Sequence, residues 1–504
     1  MRVAKEQIMN LEKTGEIRTM KMFIDGHWVD ASDGGTLESS NPYSGQVWAR
    51  VPNATQLDVE TAVLAARRAF DEGEWRETTP QHRARLMRRL ADLIAKNAED
   101  LARIESTDNG KLYREMLAQW RYMPEWFHYY AGLAVSGQGR VLPSDKPNFI
   151  AMTRKEPMGV VAAITPWNSP AFLMNWKLAP ALAAGCTFIV KPSEHTPVSS
   201  LAFAALVEEA GFPKGVFNVL SGGPEVGKLL SSDPRIDKVA FTGSDGVGKM
   251  IAQAAAKNLT RVGLELGGKS AQVVFDDCDL AVTANGIISG IFAATGQSCM
   301  AGSRLIVQKG VKRALIDRIL ERVKTIKLGD PMLSETEMGP AATKPQFDKV
   351  LSMVKTAREE GARVVCGGRG AEIGGYFIEP TILDDITPAM SIFQDEVFGP
   401  VLAVVEFETE EEAVKLANDT RYGLAAGVWT LNVQRAHRVS GLIRAGSVWI
   451  NSYRTLAPYA PFGGYGQSGI GRENGPEGLA EYQETKTVWI ETSGKSRDPF
   501  TIGL

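Results

Sequence analysis

The chain has 504 residues, 44% of them apolar and 23% charged, with a net charge of -3. A single core stops growing near about 250–300 residues, so this length predicts roughly two to four domains. The charge balance, without a basic tract, argues against nucleic acid or an anionic membrane as a partner, and no uncharged apolar run approaches the roughly 18–20 residues that span a bilayer.

Four scattered cysteines, Cys186, Cys278, Cys299 and Cys366, match neither a disulfide framework nor a metal spacing, so no metal is expected. The opening stretch MRVAKEQIMNLEKTGEIRTMK is polar and lacks the apolar core of a signal peptide. A reducing cytoplasm is the expected compartment.

In chain order, Val59, Val63, Ala66 and Phe70 recur at helical spacing after Thr55 and define one face of a first helix. Thr79-Pro80 reads as an N-cap with proline at the first helical position; Leu86, Leu90, Leu93, Leu101 and Ile104 carry that second helix to Asn109-Gly110. Residues 137–150 are rich in Gly, Pro and Ser and predict an excursion from the main body. From Gly159 the runs VVAAI, TFIV, FNVL and KVAF alternate with helix-like stretches. Short, continuously apolar strands of this kind predict a parallel sheet covered on both faces. A second alternation (QVVF, RLIV, RVVC, VLAVVEF, GVWT and SVWI) predicts a second α/β domain and a cleft between the two. The last run, KTVWIE, has no partner near it in sequence and is expected to complete a sheet elsewhere, in this chain or in another subunit.

Gly263 to Ser270, GLELGGKS, satisfies the phosphate-loop pattern. That loop works only between a strand and a helix, and the residues that follow, AQVVFDD, read as a strand. A second near-match, GSDGVGK, has Met250 where a metal-binding hydroxyl is needed. A P-loop-like nucleotide triphosphatase is therefore a rival and not the preferred reading. Gly243 and Gly248 still open a helix-like stretch after the strand KVAF, where a phosphate suits the helix N-terminus. KPSE, Lys191 to Glu194, follows the strand TFIV, where an acid suits ribose hydroxyls; taken alone it is a solvated loop.

Cys299 follows Gly296, Gln297 and Ser298 instead of lying among apolar neighbours, which suggests a thiol held out for use. None of the five histidines sits in a motif resembling the partner of a Cys-His hydrolase. Glu265, between Leu264 and Leu266, is the alternative base: a carboxyl in apolar surroundings has a raised pKa, although a buried salt bridge accounts for it equally well. TPWN ends with Asn168 just past the strand VVAAI, and its amide could donate to an oxyanion.

Seven motifs, TPWN, KPSE, FTGS, ELGGKS, GQSC, EVFGP and PFGGYGQSGIGRE, now stand in one order. In that order and at those intervals the chain resembles the NAD(P)-dependent aldehyde dehydrogenase superfamily, from FIDGHWV near the start to KTVWI near the end. The resemblance implies an α/β fold with a Rossmann-type cofactor domain, an α/β catalytic domain and a small β oligomerisation element. It assigns residues 1–136 and 155–264 to NAD binding, 265–470 to catalysis, and 137–154 and 484–497 to the oligomerisation element of a homodimer or homotetramer.

Carried over position by position, the resemblance implies Cys299 as nucleophile, Asn168 and the Cys299 backbone N–H as oxyanion donors, and Glu265 as the base for the hydrolytic water. It implies Ile164, Trp167, Lys191, Glu194, Thr242, Gly243, Ser244, Leu266, Glu396 and Phe398 as cofactor contacts, with Lys191 and Glu194 on the adenine ribose. Glu194 favours a free 2′-hydroxyl, so NAD is expected ahead of NADP, with dual use left open. The implied substrate is an aldehyde, oxidised to the carboxylic acid. Acyl transfer to coenzyme A is the alternative within the family, and Glu265 argues against it because thiol acceptors need no hydrolytic base.

The implied substrate tunnel carries Ser169 where many relatives have an aromatic, with Ala293 and Ala294 before the cysteine turn and Phe172, Trp176 and Phe462 as an apolar wall. This loss of volume predicts a bulkier or cyclic aldehyde, unless Trp120, Tyr122 or Tyr459 fills the space. Arg121 either meets an acidic substrate or is an exposed helix residue.

Overall fold

The computed structural model describes residues 17–137, 139–495 and 500. Its larger sheet has eight strands in the spatial order Gly469–Ile470, Arg261–Glu265, Lys238–Thr242, Val160–Thr165, Thr187–Pro192, Phe217–Val219, Met22–Ile24 and His27–Val29. The five from Arg261–Glu265 to Phe217–Val219 are parallel; Gly469–Ile470 and Met22–Ile24 run antiparallel to them, and His27–Val29 pairs antiparallel with Met22–Ile24. Successive strand residues point to opposite faces, so both faces must be covered. Val160, Ala162 and Ile164 pack with Val59, Ala62, Val63 and Ala66 of the helix Gln56–Asp71. Val161 and Ala163 pack instead with the helices Pro80–Lys96, Pro170–Ala184 and Val198–Ala210.

The helix Gln56–Asp71 begins at a reciprocal cap: the Thr55 hydroxyl accepts the Asp58 N–H, and the Asp58 carboxylate accepts the Thr55 N–H at 2.8 Å. The stretch expected as one helix from Pro80 to Asn109 is two, Pro80–Lys96 and Ala98–Asn109. Asn97 breaks it: its side-chain amide donates to the Leu93 carbonyl at 2.7 Å, competing for an acceptor the helix would use.

The second sheet has seven strands, in the order Arg363–Cys366, Thr381–Asp384, Val401–Phe407, Arg304–Gln308, Ala271–Val274, Ala425–Trp429 and Ser447–Ile450. All are parallel except the edge strand Arg363–Cys366, which pairs antiparallel with Thr381–Asp384, a strand the sequence reading did not anticipate. The tail strand spans Gln483–Glu491 and pairs antiparallel with Phe149–Pro157 of the same chain, which also pairs with Val141–Leu142. Val141, Ile150, Trp489 and Ile490 of this sheet are exposed. Among the described residues no helix is long and apolar enough to cross a membrane.

The segment Pro461–Glu473 crosses from the second sheet to the first, where Gly469 pairs with Glu265. Gly446 permits that crossing, because a Cβ there would lie 1.6 Å from the Gly463 carbonyl oxygen. Gly446→Ala is expected to cost about 3 kcal/mol, the upper range for overpacking, read as a lowered thermal midpoint; an unchanged midpoint would show the crossing to be loose.

Candidate active site

Cys299 follows the helix Leu280–Phe292 through a loop that is left-handed at three successive residues, Ala294 (φ 54°), Thr295 (φ 56°) and Gly296 (φ 67°). Non-glycine residues avoid that region, and the strain persists only where the surroundings over-determine it. The clamps are specific. Glu115 Oε1 accepts the Ala294 N–H at 3.0 Å, and Thr295 Oγ1 donates to the Gly339 carbonyl at 3.0 Å. The Gln297 amide donates to the Pro340 carbonyl at 3.3 Å and accepts the Ala342 N–H at 2.9 Å. The sulfur is left half-buried on the wall of a cleft. Burial, with the Glu396 and Glu265 carboxyl groups beside it, pushes the thiol up to about 12.

That cleft, with about 590 Å³ of empty space open to solvent, is lined by Cys299, Asn168 and Glu265 together with Trp167, Thr242, Gly243, Ser244, Leu266, Glu396 and Phe398. It lies at the carboxyl ends of the strands Val160–Thr165, Lys238–Thr242 and Arg261–Glu265, where open parallel sheets bind ligands. Asn168 Nδ2 donates to the Gln297 carbonyl at 3.1 Å, which ties this amide to the cysteine loop. An amide nitrogen carries two hydrogens, so one remains for a ligand oxygen. Among the described residues no acceptor takes the Cys299 N–H.

Glu265 is 6% exposed and its Oε2 has no hydrogen-bond partner. Burial, then the neighbouring Glu473, pushes its carboxyl well above the usual carboxylate range, while the Lys177 and Arg472 cations oppose the shift. Glu396 accepts the Gly268 N–H at 3.0 Å, and burial pushes its carboxyl up to about 7.

Around the cleft, Lys191 Nζ pairs with Glu194 Oε2 at 3.1 Å just beyond the strand Thr187–Pro192. Trp167 and Phe398 meet edge to face with ring centroids 5.2 Å apart. Ser244 caps the helix Asp245–Ala256 by accepting the Val247 N–H. Ile164 and Leu266 pack in one apolar cluster behind the strands, away from Ser169, Phe172, Trp176 and Phe462. Phe172, Trp176 and Phe462 form a chain of ring contacts at 5.5 and 5.2 Å, and Ser169 precedes the helix that carries the first two. Trp120 is fully buried and bonded to Glu105, whereas Tyr459 is 69% exposed and Tyr122 is exposed with its hydroxyl donating to the Leu456 carbonyl. Arg121 is a surface residue paired with Glu99. Among the described residues no group of three or more metal-ligating side chains converges.

The GLELGGKS stretch runs from a strand through a loop into the strand Ala271–Val274, so no helix N-terminus follows it. Lys269 is buried beside a separate small cavity lined by Arg304 and Tyr422. The two glycines have another cause: a Cβ on Gly267 would lie 2.4 Å from Glu396 Oε2, and one on Gly268 would lie 2.7 Å from the Cys299 carbonyl oxygen. They let the acid and the cysteine loop close on the strand end, and the triphosphatase reading falls.

The aldehyde dehydrogenase family profile matches residues 28–488. The chain belongs to the aldehyde dehydrogenase family. A dehydrogenase of Acinetobacter baylyi named for (Z)-2-((N-methylformamido)methylene)-5-hydroxybutyrolactone is 47% identical over 96% of this chain and 100% of its own length. An aldehyde dehydrogenase of Aspergillus niger is 45% identical over 93% and 94%. Among solved structures, an NAD-dependent aldehyde dehydrogenase from Sinorhizobium meliloti superimposes with a TM-score of 0.94 at 41% identity, covering 96% of each chain. An NAD⁺ complex of the Bacillus cereus aldehyde dehydrogenase does so with 0.93 at 44% identity, covering 94% of this chain and 97% of that one.

This aldehyde dehydrogenase contains a buried charge cluster that sequence reasoning missed. Lys177, fully buried, donates to Thr242 Oγ1 at 2.6 Å and pairs with Glu473, whose Oε2 has no partner. Its one local trace is a lysine as the sole charged residue of the helix Pro170–Ala184, which announces a buried partner without naming it.

Proposed function

We propose that the enzyme oxidises an aldehyde to the carboxylic acid with NAD, and that Cys299, Asn168 and Glu265 carry the reaction. The observation that carries this reading is their convergence on one cleft at the strand ends. As the Cys299 sulfur forms a bond to the aldehyde carbon its S–H proton passes to water in the open cleft, and the carbonyl electron pair moves onto oxygen. Asn168 Nδ2 and the unbonded Cys299 N–H are the donors for that oxyanion; one such donor contributes about 2.7–4 kcal/mol to the transition state. Bound NAD would supply the acceptor for the hydride that leaves this carbon as the oxyanion collapses to a thioester on Cys299. Water then attacks the thioester carbon, its proton passes to Glu265, and the carbon–sulfur bond breaks to release acid and regenerate the thiol.

The residues present fit the cofactor. The helix N-terminus at Ser244 and Gly243 suits a pyrophosphate, the Lys191–Glu194 pair suits ribose hydroxyls, and Glu396 and Phe398 reach the same cleft as Cys299. Lys191 lies beside Glu194 and holds its carboxyl below the usual range against burial, so Glu194 stays anionic and repels a 2′-phosphate. Glu194→Gln is expected to raise KM for NAD about tenfold, from the loss of charge-assisted hydrogen bonds, and to bring NADP use closer to NAD use. An unchanged NAD:NADP ratio would remove Glu194 from the site.

The small Ser169, Ala293 and Ala294 support a bulky or cyclic substrate, and the Acinetobacter relative carries the name of a ring compound. The exposed apolar residues of the Phe149–Pro157 sheet support a homodimer or homotetramer built on residues 137–154 and 484–497. On this reading residues 1–136 and 155–264 bind NAD, 265–470 form the catalytic domain, and the compartment is the cytoplasm. The direct test is NADH absorbance over an aldehyde panel with NAD and NADP, with the product assayed as free acid. Acyl-CoA appearing when coenzyme A is added, in place of acid, would overturn the hydrolytic step.

A further inference from the structure

The function proposed above leaves a buried pair of cations unused. Lys269, the lysine of the GLELGGKS stretch, is 2% exposed and Arg304 is 1% exposed. Both line a cavity of about 240 Å³ that is open to solvent and shares no lining residue with the cofactor cleft. The cavity lies where the strands Ala271–Val274, Arg304–Gln308 and Ala425–Trp429 begin. The exposed Arg444 lines it too, with Thr420 and Tyr422, and among the described lining residues there is no aspartate or glutamate.

The two buried cations are short of partners. Lys269 Nζ has no hydrogen-bond partner, although an ammonium carries three donors. Arg304 Nε donates to the Lys269 carbonyl at 2.8 Å, Nη1 to the Leu416 carbonyl at 3.0 Å and Nη2 to the Ala417 carbonyl at 2.8 Å. A guanidinium has five N–H groups, so two are left over. Leu416 and Ala417 belong to the last turn of the helix Glu410–Asn418, whose dipole meets part of the Arg304 charge. The Phe393 ring, with its centroid 4.7 Å from the guanidinium carbon, meets a little more. Lys269 has no such counterpart.

Among the described residues no carboxylate comes within ion-pair distance of either cation. Asp419 acts on Arg304 through its field alone; Glu396 and Asp395 act on Lys269 in the same way, opposed by Arg304 and Lys349. Burial pushes Lys269 down to about 7 and Arg304 down to about 10, the cost of holding charge away from water. An apolar side chain would fill the space of Lys269 at lower cost. A buried amine beside a second cation, in a cavity without an acid, is instead the environment that an anion relieves. The volume sets the class of ion: it lies below the roughly 300–1,000 Å³ of pockets that take organic ligands.

We propose that Lys269 and Arg304, with Arg444 on the solvent side, form a binding site for a small inorganic anion of chloride size. The inference goes beyond the aldehyde oxidation and does not depend on it.

The test compares sodium chloride with sodium gluconate at equal ionic strength on the whole chain. Chloride is expected to raise the thermal midpoint by about 1–2 °C along a saturating curve, as a ligand of the folded state does; gluconate, an organic acid too bulky for the cavity, should not. Lys269→Met should remove the chloride-specific rise, and Arg444→Gln should weaken the apparent affinity about threefold to tenfold. Affinity should fall as the pH rises above about 7, because the anion favours the charged amine. Bromide soaked into crystals of the parent protein should give an anomalous peak within hydrogen-bond reach of Lys269 Nζ and Arg304, a measurement that stands even if Lys269→Met does not fold. Equal effects of chloride and gluconate, a chloride rise that survives in Lys269→Met, or bromide peaks at the surface alone would overturn the site. A rise with inorganic phosphate and none with chloride would overturn the size assigned to the ion. NADH production from aldehydes is read separately, and none of these outcomes bears on it.

Discussion

Cys299→Ala is expected to lower kcat/KM on any aldehyde by on the order of 10⁴-fold or more, the scale seen when a covalent nucleophile is removed. The size follows from what is lost. The sulfur forms the bond that turns an aldehyde carbon into a tetrahedral centre whose hydrogen can leave as hydride, and Cys299 is the one thiol among the described residues that line the cleft. Folding should be unaffected, because the thiol is half-buried and the loop is held by Glu115, Thr295 and Gln297, not by Cys299 itself. Equilibrium binding of NAD, read as a thermal shift, should therefore persist in the variant. Full NADH production by Cys299→Ala would remove the covalent mechanism altogether. Burial and the Glu396 and Glu265 carboxyl groups push the thiol up, so the resting sulfur carries its proton and gives it up to water in the open cleft as it attacks.

Glu265→Gln should give a different signature. Bond formation to sulfur and hydride loss need no water, so one equivalent of NADH per active site should appear rapidly. Steady-state turnover should then fall by about 10²–10⁴-fold, the usual contribution of a general base. Hydroxylamine, which attacks thioesters without base help, should restore turnover. Loss of the burst itself would place Glu265 before hydride transfer. The pH dependence has a definite sign: the base must be ionised, and its pKa is raised, so the hydrolytic rate climbs with pH through that raised value and is lost below it. Lys177 opposes the shift, so Lys177→Met should move the midpoint to higher pH, and the variant lacking Glu265 should lose the rise.

Local chemistry made much of this legible in sequence. Thr55 and Thr79-Pro80 marked helix starts because capping is settled within four residues. VVAAI and TFIV announced strands buried on both faces because such strands cannot alternate with polar residues. Asn97 broke a helix that the leucine spacing had carried through, because a side chain that bonds its own backbone leaves no mark in apolar periodicity.

Residue types and local spacing by themselves determined two α/β layers, a cysteine out of apolar company and an acid in apolar surroundings. Only the tertiary structure decided that Glu265 shares its burial with Glu473 and Lys177, that Lys111 lies in the field of the sulfur, and that Gln483–Glu491 closes on Phe149–Pro157. The reason is physical. A capping or strand pattern is satisfied by neighbours along the chain, whereas a buried charge or an open strand edge states only that a partner is required, and chain closure over hundreds of residues chooses which one.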